Sequence, residues 1–286
     1  MIGYLFALLT CIFFGLLGTY GKILTKHYSP AIIAWANFTL AFPFVLVIAI
    51  FNGFPVVQWF DFIWATLLSF LVNLFAYYLF FRALSLSTIS RTMPFTAFTP
   101  LFLIPIGFVI LGEIPTIRGV IGIILIIFGA YGIHLDSKDL VSPFRSLISD
   151  KGTRLMLFVA LIWAVSASVE KVAVLSSSAA FYGVIINVML SLSYLPYVLF
   201  RERKNFRRFS VDTKSFAVLM LIAGPLVFFQ FSAYQYLLAS YVIAFKRAGV
   251  IVSVLLGYLI LNERKVIKNL LFTIFMICGV LLIMRA

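Results

Sequence analysis

The sequence predicts an all-α integral membrane protein with ten transmembrane helices, arranged as two inverted five-helix repeats. Three features of the sequence carry this prediction. They are the composition, the number of long apolar runs, and an internal similarity between the two halves of the chain.

The composition points to a membrane protein. Apolar residues make up 64% of the 286-residue chain and charged residues only 11%, whereas a soluble domain is typically about a quarter charged. So much apolar surface requires lipid as part of the solvent. We expect a multi-pass protein of the cell membrane, in contact with the lipid bilayer. The net charge of +13 fits basic cytoplasmic loops, so no nucleic-acid partner is expected.

Ten apolar runs are long enough to span a bilayer. The predicted spans are residues 2–22, 31–51, 60–81, 92–111, 117–134, 155–175, 179–200, 215–238, 241–261 and 267–284. The longest polar stretch, DSKDLVSPFRSLISDKGT, lies at the middle of the chain. We therefore predict a first five-helix repeat at 1–134, a linker at 135–154 and a second repeat at 155–286.

The two halves resemble each other at a constant offset. The matching pairs are Asn37/Asn187, Phe81/Phe231, Ala83/Ala233, Ser90/Ser240, Leu111/Leu261, Glu113/Glu263 and Gly129/Gly279, with Lys22/Lys171 one residue out of register. Because each half holds an odd number of helices, the second half must enter the membrane upside down. Inverted repeats of this kind are an architecture of secondary transporters.

Several stretches resemble the drug/metabolite transporter superfamily, and within it the EamA-type transporters. They are ILGE at 110–113, FKRAGVIVSVLLGYLILNE at 245–263 and FFGLLGTYGK at 13–22. The resemblance covers essentially the whole chain. It implies a ten-helix transporter with a central cavity between the halves.

Two acids stand at equivalent joints, each between two apolar runs. Glu113 and Glu263 precede the last span of their halves, where a carboxylate is favoured by the helix dipole and by unpaired N–H groups. We interpret both as hinge or structural residues. Pro94 and Pro100 in the fourth span are placed in the same class, because prolines bend a helix and free its carbonyls.

Polar and aromatic residues inside the spans are the candidate substrate-binding residues, because such groups usually face the bundle interior. The set comprises Asn73, Tyr77, Thr96, Trp163, Gln230, Tyr234, Lys246 and Arg247. The aromatic members have an alternative role in packing or in an interfacial belt. The amides have one as interhelical hydrogen-bond donors and acceptors.

Lys246 and Arg247 are the most specific signal, since a cation inside a span costs a few kcal/mol unless it is solvated or paired. They resemble the Lys-Arg pair with which triose-phosphate and nucleotide-sugar transporters of this superfamily hold a phosphate. The third cation of those relatives would fall at Thr96, so the phosphate clamp is incomplete here. The alternative is that the two cations pair with Glu170 or reach the headgroups.

The function predicted is secondary transport of a small polar or amphipathic metabolite, an amino acid or an organic anion, by alternating access. Sugar-phosphate or nucleotide-sugar exchange is one alternative, and a membrane-embedded lipid-modifying enzyme is another. No catalytic residue, metal site or cofactor is expected, because the two Cys and two His have no partners at ligand spacing. The partner is a small-molecule substrate, and the protein is a monomer or a homodimer.

The orientation in the membrane is predicted differently by charge and by resemblance. Most of the 22 Lys and Arg residues fall at the connections 1–2, 3–4, 5–6, 7–8 and 9–10. The positive-inside rule then places both termini outside the cytoplasm. Many members of the family that the sequence resembles have both termini inside.

Overall fold

The structure, a computed structural model, describes residues 1–24, 27–87, 93–133, 147, 149–210, 212–261 and 266–286. Over these residues it contains helices and no strand. Eight helical segments are long and apolar enough to cross a membrane, and two shorter apolar helices, Ile117–Ile133 and Leu271–Met284, complete ten spans. The predicted fold class is confirmed.

The spans are numbered here in chain order. Spans 1 to 3 are Ile2–Leu24, Pro30–Asn52 and Trp59–Leu86, and span 5 is Ile117–Ile133. Spans 6 to 8 are Lys151–Leu175, Ala179–Arg201 and Thr213–Tyr234, and span 10 is Val266–Met284. Span 4 joins a 3-10 helix, Met93–Phe98, to an α-helix, Thr99–Leu111; span 9 consists of two helices, Ala239–Ala248 and Val250–Leu261.

Short polar side chains set where several spans begin. Ser29, Asp150, Ser178 and Asp212 each accept a hydrogen bond from a backbone N–H of the first turn that follows. These caps satisfy donors that have no partner inside the helix. Span 6 begins at Lys151, four residues before the predicted start at 155, because Asp150 supplies its cap.

Spans 4 and 9 are interrupted at equivalent positions of the two repeats. Span 4 changes from 3-10 to α-helix between Phe98 and Thr99, and span 9 breaks between Ala248 and Val250. In span 4 the change comes beside Pro100, which lacks a backbone N–H. In span 9 it comes at Gly249, where an added Cβ would meet the Cys11 carbonyl oxygen at 2.4 Å. Interrupted spans of this kind line substrate sites in many transporters.

Spans 5 and 10 cross in opposite directions through paired glycines. A Cβ added to Gly122 would meet the Gly279 carbonyl oxygen at 2.7 Å, and one added to Gly129 would meet the Phe272 carbonyl oxygen at 2.5 Å. From Gly122 to Gly129 along span 5, the contact on span 10 therefore moves backwards along the chain, from Gly279 to Phe272. In the repeat, Gly122 corresponds to Phe272 and Gly129 to Gly279. Each contact is thus the image of the other, as a two-fold axis between inverted halves requires.

The connections lie on two faces of the bundle. On the terminal face, where both chain ends lie, the Tyr4 hydroxyl donates to the Ile283 carbonyl, and the backbone of Gln58 donates to Ser176. On the opposite, basic face, the Tyr28 hydroxyl donates to Asp212. The basic face also carries the short helix Arg203–Ser210, with sequence RKNFRRFS.

The two halves pack against each other along their whole length. Span 1 lies along span 8, span 2 along span 7, span 3 along span 6, and span 5 along span 10. Large apolar side chains such as Phe51, Phe60, Val109 and Leu259 remain exposed on the outside, which is the surface that lipid covers. The small buried side chains between the halves let the helices approach closely.

Candidate functional site

A central cavity of about 150 Å³ lies between the two halves. Spans 1, 2 and 3 of the first half and spans 6, 7, 8 and 9 of the second supply its walls. Its polar lining consists of Asn37, Asn73, Tyr77, Glu170, Asn187, Gln230 and Lys246. Four amides, one acid and one base therefore face a small space that is otherwise lined by Phe, Leu, Ile and Val.

Lys246 enters this cavity from the first helix of span 9. Its ammonium group donates to the Gln230 side-chain oxygen at 2.7 Å and lies 5.5 Å from the centre of the Phe14 ring. Among the described residues, Lys246 forms no ion pair. A cation without a charged partner inside a span costs a few kcal/mol unless it is solvated.

Glu170 enters the cavity from the end of span 6 that is nearer the terminal face. One carboxylate oxygen, Oε1, accepts from the Asn73 side chain at 3.1 Å and from the Ser166 hydroxyl at 2.8 Å. Asn73 belongs to span 3, so the cluster joins the two halves. Among the described residues, no hydrogen bond reaches the second carboxylate oxygen, and Glu170 has no cationic partner.

Arg247 lies beside the cavity, against the ring of Phe14, which lines it. Its guanidinium group is 5.8 Å from the centre of that ring and 5.5 Å from the centre of the Trp163 ring. It donates to the Thr99 hydroxyl at 3.1 Å, at the point where span 4 changes helix type. Its Nε is buried and has no hydrogen-bond partner among the residues that the structure describes. Arg247 thus ties the interruption of span 9 to that of span 4.

Aromatic rings form one wall of the site. The Tyr77 ring is 5.1 Å from that of Phe38 and 6.1 Å from that of Trp163, both edge to face. Edge-to-face pairs of this kind pack rigidly. The wall gives this side of the cavity a defined shape.

A buried layer separates the cavity from the terminal face. The Tyr182 hydroxyl shares a hydrogen bond of 2.8 Å with Ser69, and the Tyr234 hydroxyl accepts from the Gln230 side chain at 3.2 Å. Below that layer lies a depression of about 380 Å³, whose lining includes Tyr4, Lys171 and Tyr234. Tyr234 therefore stands between the depression and the central cavity.

Lys171 and Glu113 join the two halves at the level of this buried layer. The Lys171 ammonium donates to a carboxylate oxygen of Glu113 and to the Leu237 carbonyl at 2.6 Å. The other Glu113 oxygen accepts a hydrogen bond of 2.8 Å from the backbone N–H of Ala239. Ala239 is the first residue of span 9. Glu113 was expected at a helix start of its own half, but the helix that it caps belongs to the other half.

The structure brings together four of the predicted binding residues: Asn73, Tyr77, Gln230 and Lys246 line the central cavity. Arg247 and Trp163 lie in the layer behind it. Tyr234 lines the terminal-face depression and reaches the cavity only through Gln230. Thr96 is buried in the 3-10 helix of span 4 and does not line the cavity.

The structure describes three of the four predicted hinge residues. Pro94 lies in the 3-10 helix of span 4, and Pro100 is in the first turn of the α-helix that follows. Glu113 bridges the halves as described. Glu263 lies outside the residues that the structure describes.

Sequence reasoning did not include three residues that line the cavity. From the sequence, Glu170 is predicted only as an alternative partner of Lys246 and Arg247, and Asn37 and Asn187 are identified only as matching positions of the repeat. The repeat held a usable signal, since Asn37 and Asn187 are matching positions of the two halves. Because both members of this matching pair line the same cavity, the pair lies close to the two-fold axis between the halves.

Comparison with known proteins decides the family. The profile of the EamA-like transporter family matches residues 1–135 and again residues 150–285. The chain belongs to the EamA-like transporter family. The predicted family is thereby confirmed, as is a multi-pass location in the membrane.

Structural comparison finds the same fold in solved structures. A solved structure described only as "Crystal structure of protein" is similar to this chain, with a TM-score of 0.74 and 16% identity, over 98% of this chain and 95% of that chain. It is one of 27 matching solved chains. At that identity the likeness shows the fold alone. No curated protein matches the chain.

Membership of the EamA family makes the protein a membrane transporter with a small-molecule substrate. Within the described residues, no group of three His, Cys, Asp or Glu side chains is placed to hold a metal ion.

Proposed function

We propose that this EamA protein is a secondary transporter of a small polar or amphipathic metabolite, an amino acid or an organic anion. One observation carries the proposal. Lys246, a cation without an ion-pair partner among the described residues, faces a small amide-lined cavity at the junction of two inverted halves. An anionic group of the substrate would supply the missing partner of Lys246.

Alternating access is the mechanism that this architecture supports best. The halves, 1–134 and 155–286, would rock around the central cavity and open it to each face in turn. Tyr234, Tyr182 and the Glu113–Lys171 pair stand between the cavity and the terminal face. Opening towards that face requires these contacts to separate.

The size of the cavity favours a small substrate. Its volume of about 150 Å³ is below the 300–1,000 Å³ typical of sites for drug-sized ligands. A nucleotide sugar would need a much larger space. Thr96 also supplies no cation where a phosphate clamp would have one, so sugar-phosphate exchange has less support than transport of a carboxylate.

The proposal does not include an enzymatic activity. A lipid-modifying enzyme would need a nucleophile and a base grouped near the membrane interface. Glu113, the acid next to the terminal face, is held by Lys171 and the Ala239 N–H. It is therefore engaged in joining the halves. The transporter is taken to act as a monomer or a homodimer.

A thermal-shift screen of the purified protein against metabolites tests the proposal, because a ligand that binds only the folded state raises the melting temperature. We expect carboxylate-bearing compounds to raise it. Exchange of a radiolabelled hit across reconstituted vesicles then tests transport. A hit that protects the protein but is not exchanged would contradict secondary transport, and the absence of any hit would contradict the ligand site.

A further inference from the structure

The short helix between spans 7 and 8, Arg203–Ser210, concentrates positive charge on the basic face. Residues 201–214 contain six Lys or Arg and two acidic residues, a local net charge of +4. This segment is named the basic helix, and it supplies no residue to the central cavity. The transport site therefore does not account for its charge.

The basic helix is held against the bundle at two points. The Phe206 ring packs edge to face on Trp35 of span 2, with the ring centres 5.4 Å apart. The Arg208 guanidinium lies 5.6 Å from the centre of the Tyr28 ring and donates to the His27 carbonyl. Both contacts reach the first half of the chain, whereas the helix belongs to the second. Because the helix is already fixed by these contacts, a ligand that binds it has no segment to order.

Another side of the basic helix presents cations to its surroundings. Arg203, Lys204 and Arg207 are all exposed. At about 100° per residue, the three lie within an arc of about 100° that does not include Phe206. Among the described residues, Arg203 and Lys204 form no ion pair. The helix is thus amphipathic, with an apolar contact to the bundle and an exposed basic side.

Exposed aromatic side chains show where the bilayer surface lies beside the basic helix. Phe200, in the last turn of span 7, is 85% exposed, and Tyr197, about one turn earlier, is 52% exposed. An apolar ring so exposed is covered by acyl chains, and Tyr side chains are enriched at the level of the headgroups. Arg201 follows directly and is exposed, and the basic helix begins two residues later. Its charges therefore lie beside lipid headgroups.

We propose that the exposed side of the basic helix binds the headgroups of anionic phospholipids in the leaflet at the basic face. Charge complementarity carries the proposal. Clusters of about four to eight Lys or Arg on an amphipathic helix next to a span bind anionic lipid, and residues 201–208 supply five. The proposal concerns the outside of the bundle and does not depend on the substrate.

One pair of arginines supplies the specific contact to a headgroup phosphate. Arg203 and Arg207 stand at positions i and i+4, so they are neighbours on one side of the helix. A guanidinium group matches the oxygens of a phosphate with paired, charge-assisted hydrogen bonds. The phosphate of an anionic lipid binds at this pair, and Lys204 adds attraction for the net negative charge of the headgroup.

Native mass spectrometry of the delipidated protein provides the first test, because it resolves successive bound lipids. The probes are phosphatidylglycerol and phosphatidylcholine with identical acyl chains, so that only the headgroups differ. We expect the first phosphatidylglycerol to bind at least about fivefold more tightly, which is the factor that one basic residue contributes near an anionic surface. Raising the ionic strength should reduce that ratio, because salt screens exposed charges. Equal affinities would overturn the lipid site and leave the proposed transport function intact.

The second test locates the site with matched removals of charge. Arg203→Gln combined with Arg207→Gln should lower the affinity for the first phosphatidylglycerol at least about tenfold, while the affinity for phosphatidylcholine stays unchanged. Lys151→Gln combined with Arg154→Gln removes two exposed charges from the start of span 6, on the same face, and should change neither affinity. An equal loss in the two double variants would overturn the proposal, because the charge of the whole face would then attract the lipid.

A charge-conserving variant separates the phosphate contact from an effect on folding. Equal melting temperatures in detergent show that the double variants are folded. Arg203→Lys combined with Arg207→Lys keeps both charges but loses the paired hydrogen bonds, so its affinity for phosphatidylglycerol should lie between those of the wild type and the glutamine variant. If the glutamine variant does not fold, an unchanged affinity in the lysine variant overturns the phosphate contact at this pair.

Discussion

Lys171 in span 6 forms an ion pair with Glu113, which lies between spans 4 and 5. The pair joins the two halves at the terminal face, and both side chains are largely buried, with relative exposures of 9% and 12%. Each partner also bonds the backbone around the start of span 9, at Leu237 and Ala239. Three elements from two repeats thus meet at one pair of charges.

The ion pair predicts a strongly non-additive response to mutation. Lys171→Met should lower the free energy of unfolding by about 3–5 kcal/mol, because it leaves the Glu113 carboxylate buried and unpaired. Glu113→Gln combined with Lys171→Met should recover part of that loss. Thermal or detergent-induced unfolding of the single and double variants measures the coupling. Asp61→Asn is the control, and additive effects would contradict the pairing.

The cations of span 9 predict a loss of binding. Lys246→Gln should weaken ligand binding directly while the protein stays folded, and Arg247→Gln should weaken it indirectly, because Arg247 holds the interruptions of spans 4 and 9 together beside the cavity. Removing a buried cation that binds a carboxylate costs about 2–5 kcal/mol, which is a tenfold or greater loss of affinity. Isothermal titration with a compound from the screen measures it, with Lys214→Gln as the control.

The two cations should differ in how they tolerate a conservative change. Arg247→Lys is not expected to restore wild-type ligand binding. A lysine has no planar group that could pack against both Phe14 and Trp163 while it donates to Thr99. If Arg247→Gln and Lys246→Gln both transport normally, or both unfold, the anion site at span 9 is wrong.

The crossing of spans 5 and 10 predicts a cost for the smallest added side chain. Gly122→Ala would place a Cβ 2.7 Å from the Gly279 backbone oxygen, and the helices must separate to admit it. We expect a loss of about 1–3 kcal/mol in stability. Gly21→Ala, where nothing lies within 4 Å, is the matched control and should be neutral or slightly stabilising. Equal melting temperatures for the two variants would refute the close crossing.

The basic face predicts a pH-dependent contribution to stability. The hydrogen bond from the Tyr28 hydroxyl, followed by those from Ser215, holds the pKa of Asp212 below its ordinary value of 3.8. Burial, followed by the bond to Asp212, raises the pKa of Tyr28 to about 12, so its hydroxyl remains a donor throughout the acid and neutral range. Folding therefore favours the charged carboxylate.

The sign of the effect follows from that lowered pKa. The stabilisation is complete above the ordinary pKa of 3.8 and is lost as the pH falls through the folded-state value. Tyr28→Phe should lower the melting temperature near pH 6, and the difference from the wild type should shrink near pH 3. Tyr78→Phe, on an exposed tyrosine of span 3, is the control. A difference that is constant with pH would exclude the Asp212 bond as its cause.

The charges of the basic face predict the orientation of the chain. Arg203, Lys204 and Arg207 lie on the short helix between spans 7 and 8, together with other basic residues. The positive-inside rule places that helix in the cytoplasm and both termini outside it. A reporter fused after Ala286 that is active only in the cytoplasm should therefore be silent. An active fusion would show that the charge bias does not set the orientation here.

The sequence alone was sufficient to predict the membrane environment, the ten spans and the family. The reason is physical: lipid admits only apolar, internally hydrogen-bonded segments, so each span is visible as a run of apolar residues. The odd number of spans in each half, with the repeat offset, then predicted the inversion. Asn37 and Asn187 show that the same repeat also held information about the cavity.

What only the tertiary structure decided is which polar groups meet. Glu113 caps a helix of the other half and pairs with Lys171, and Glu170 meets Asn73 across the same interface. A local pattern identifies a polar residue within a span, but its partner depends on how each helix is rotated and how deeply it lies against its neighbours. Those rotations are set by contacts between distant segments, such as the crossing of Gly122 and Gly279, which no single stretch of sequence contains.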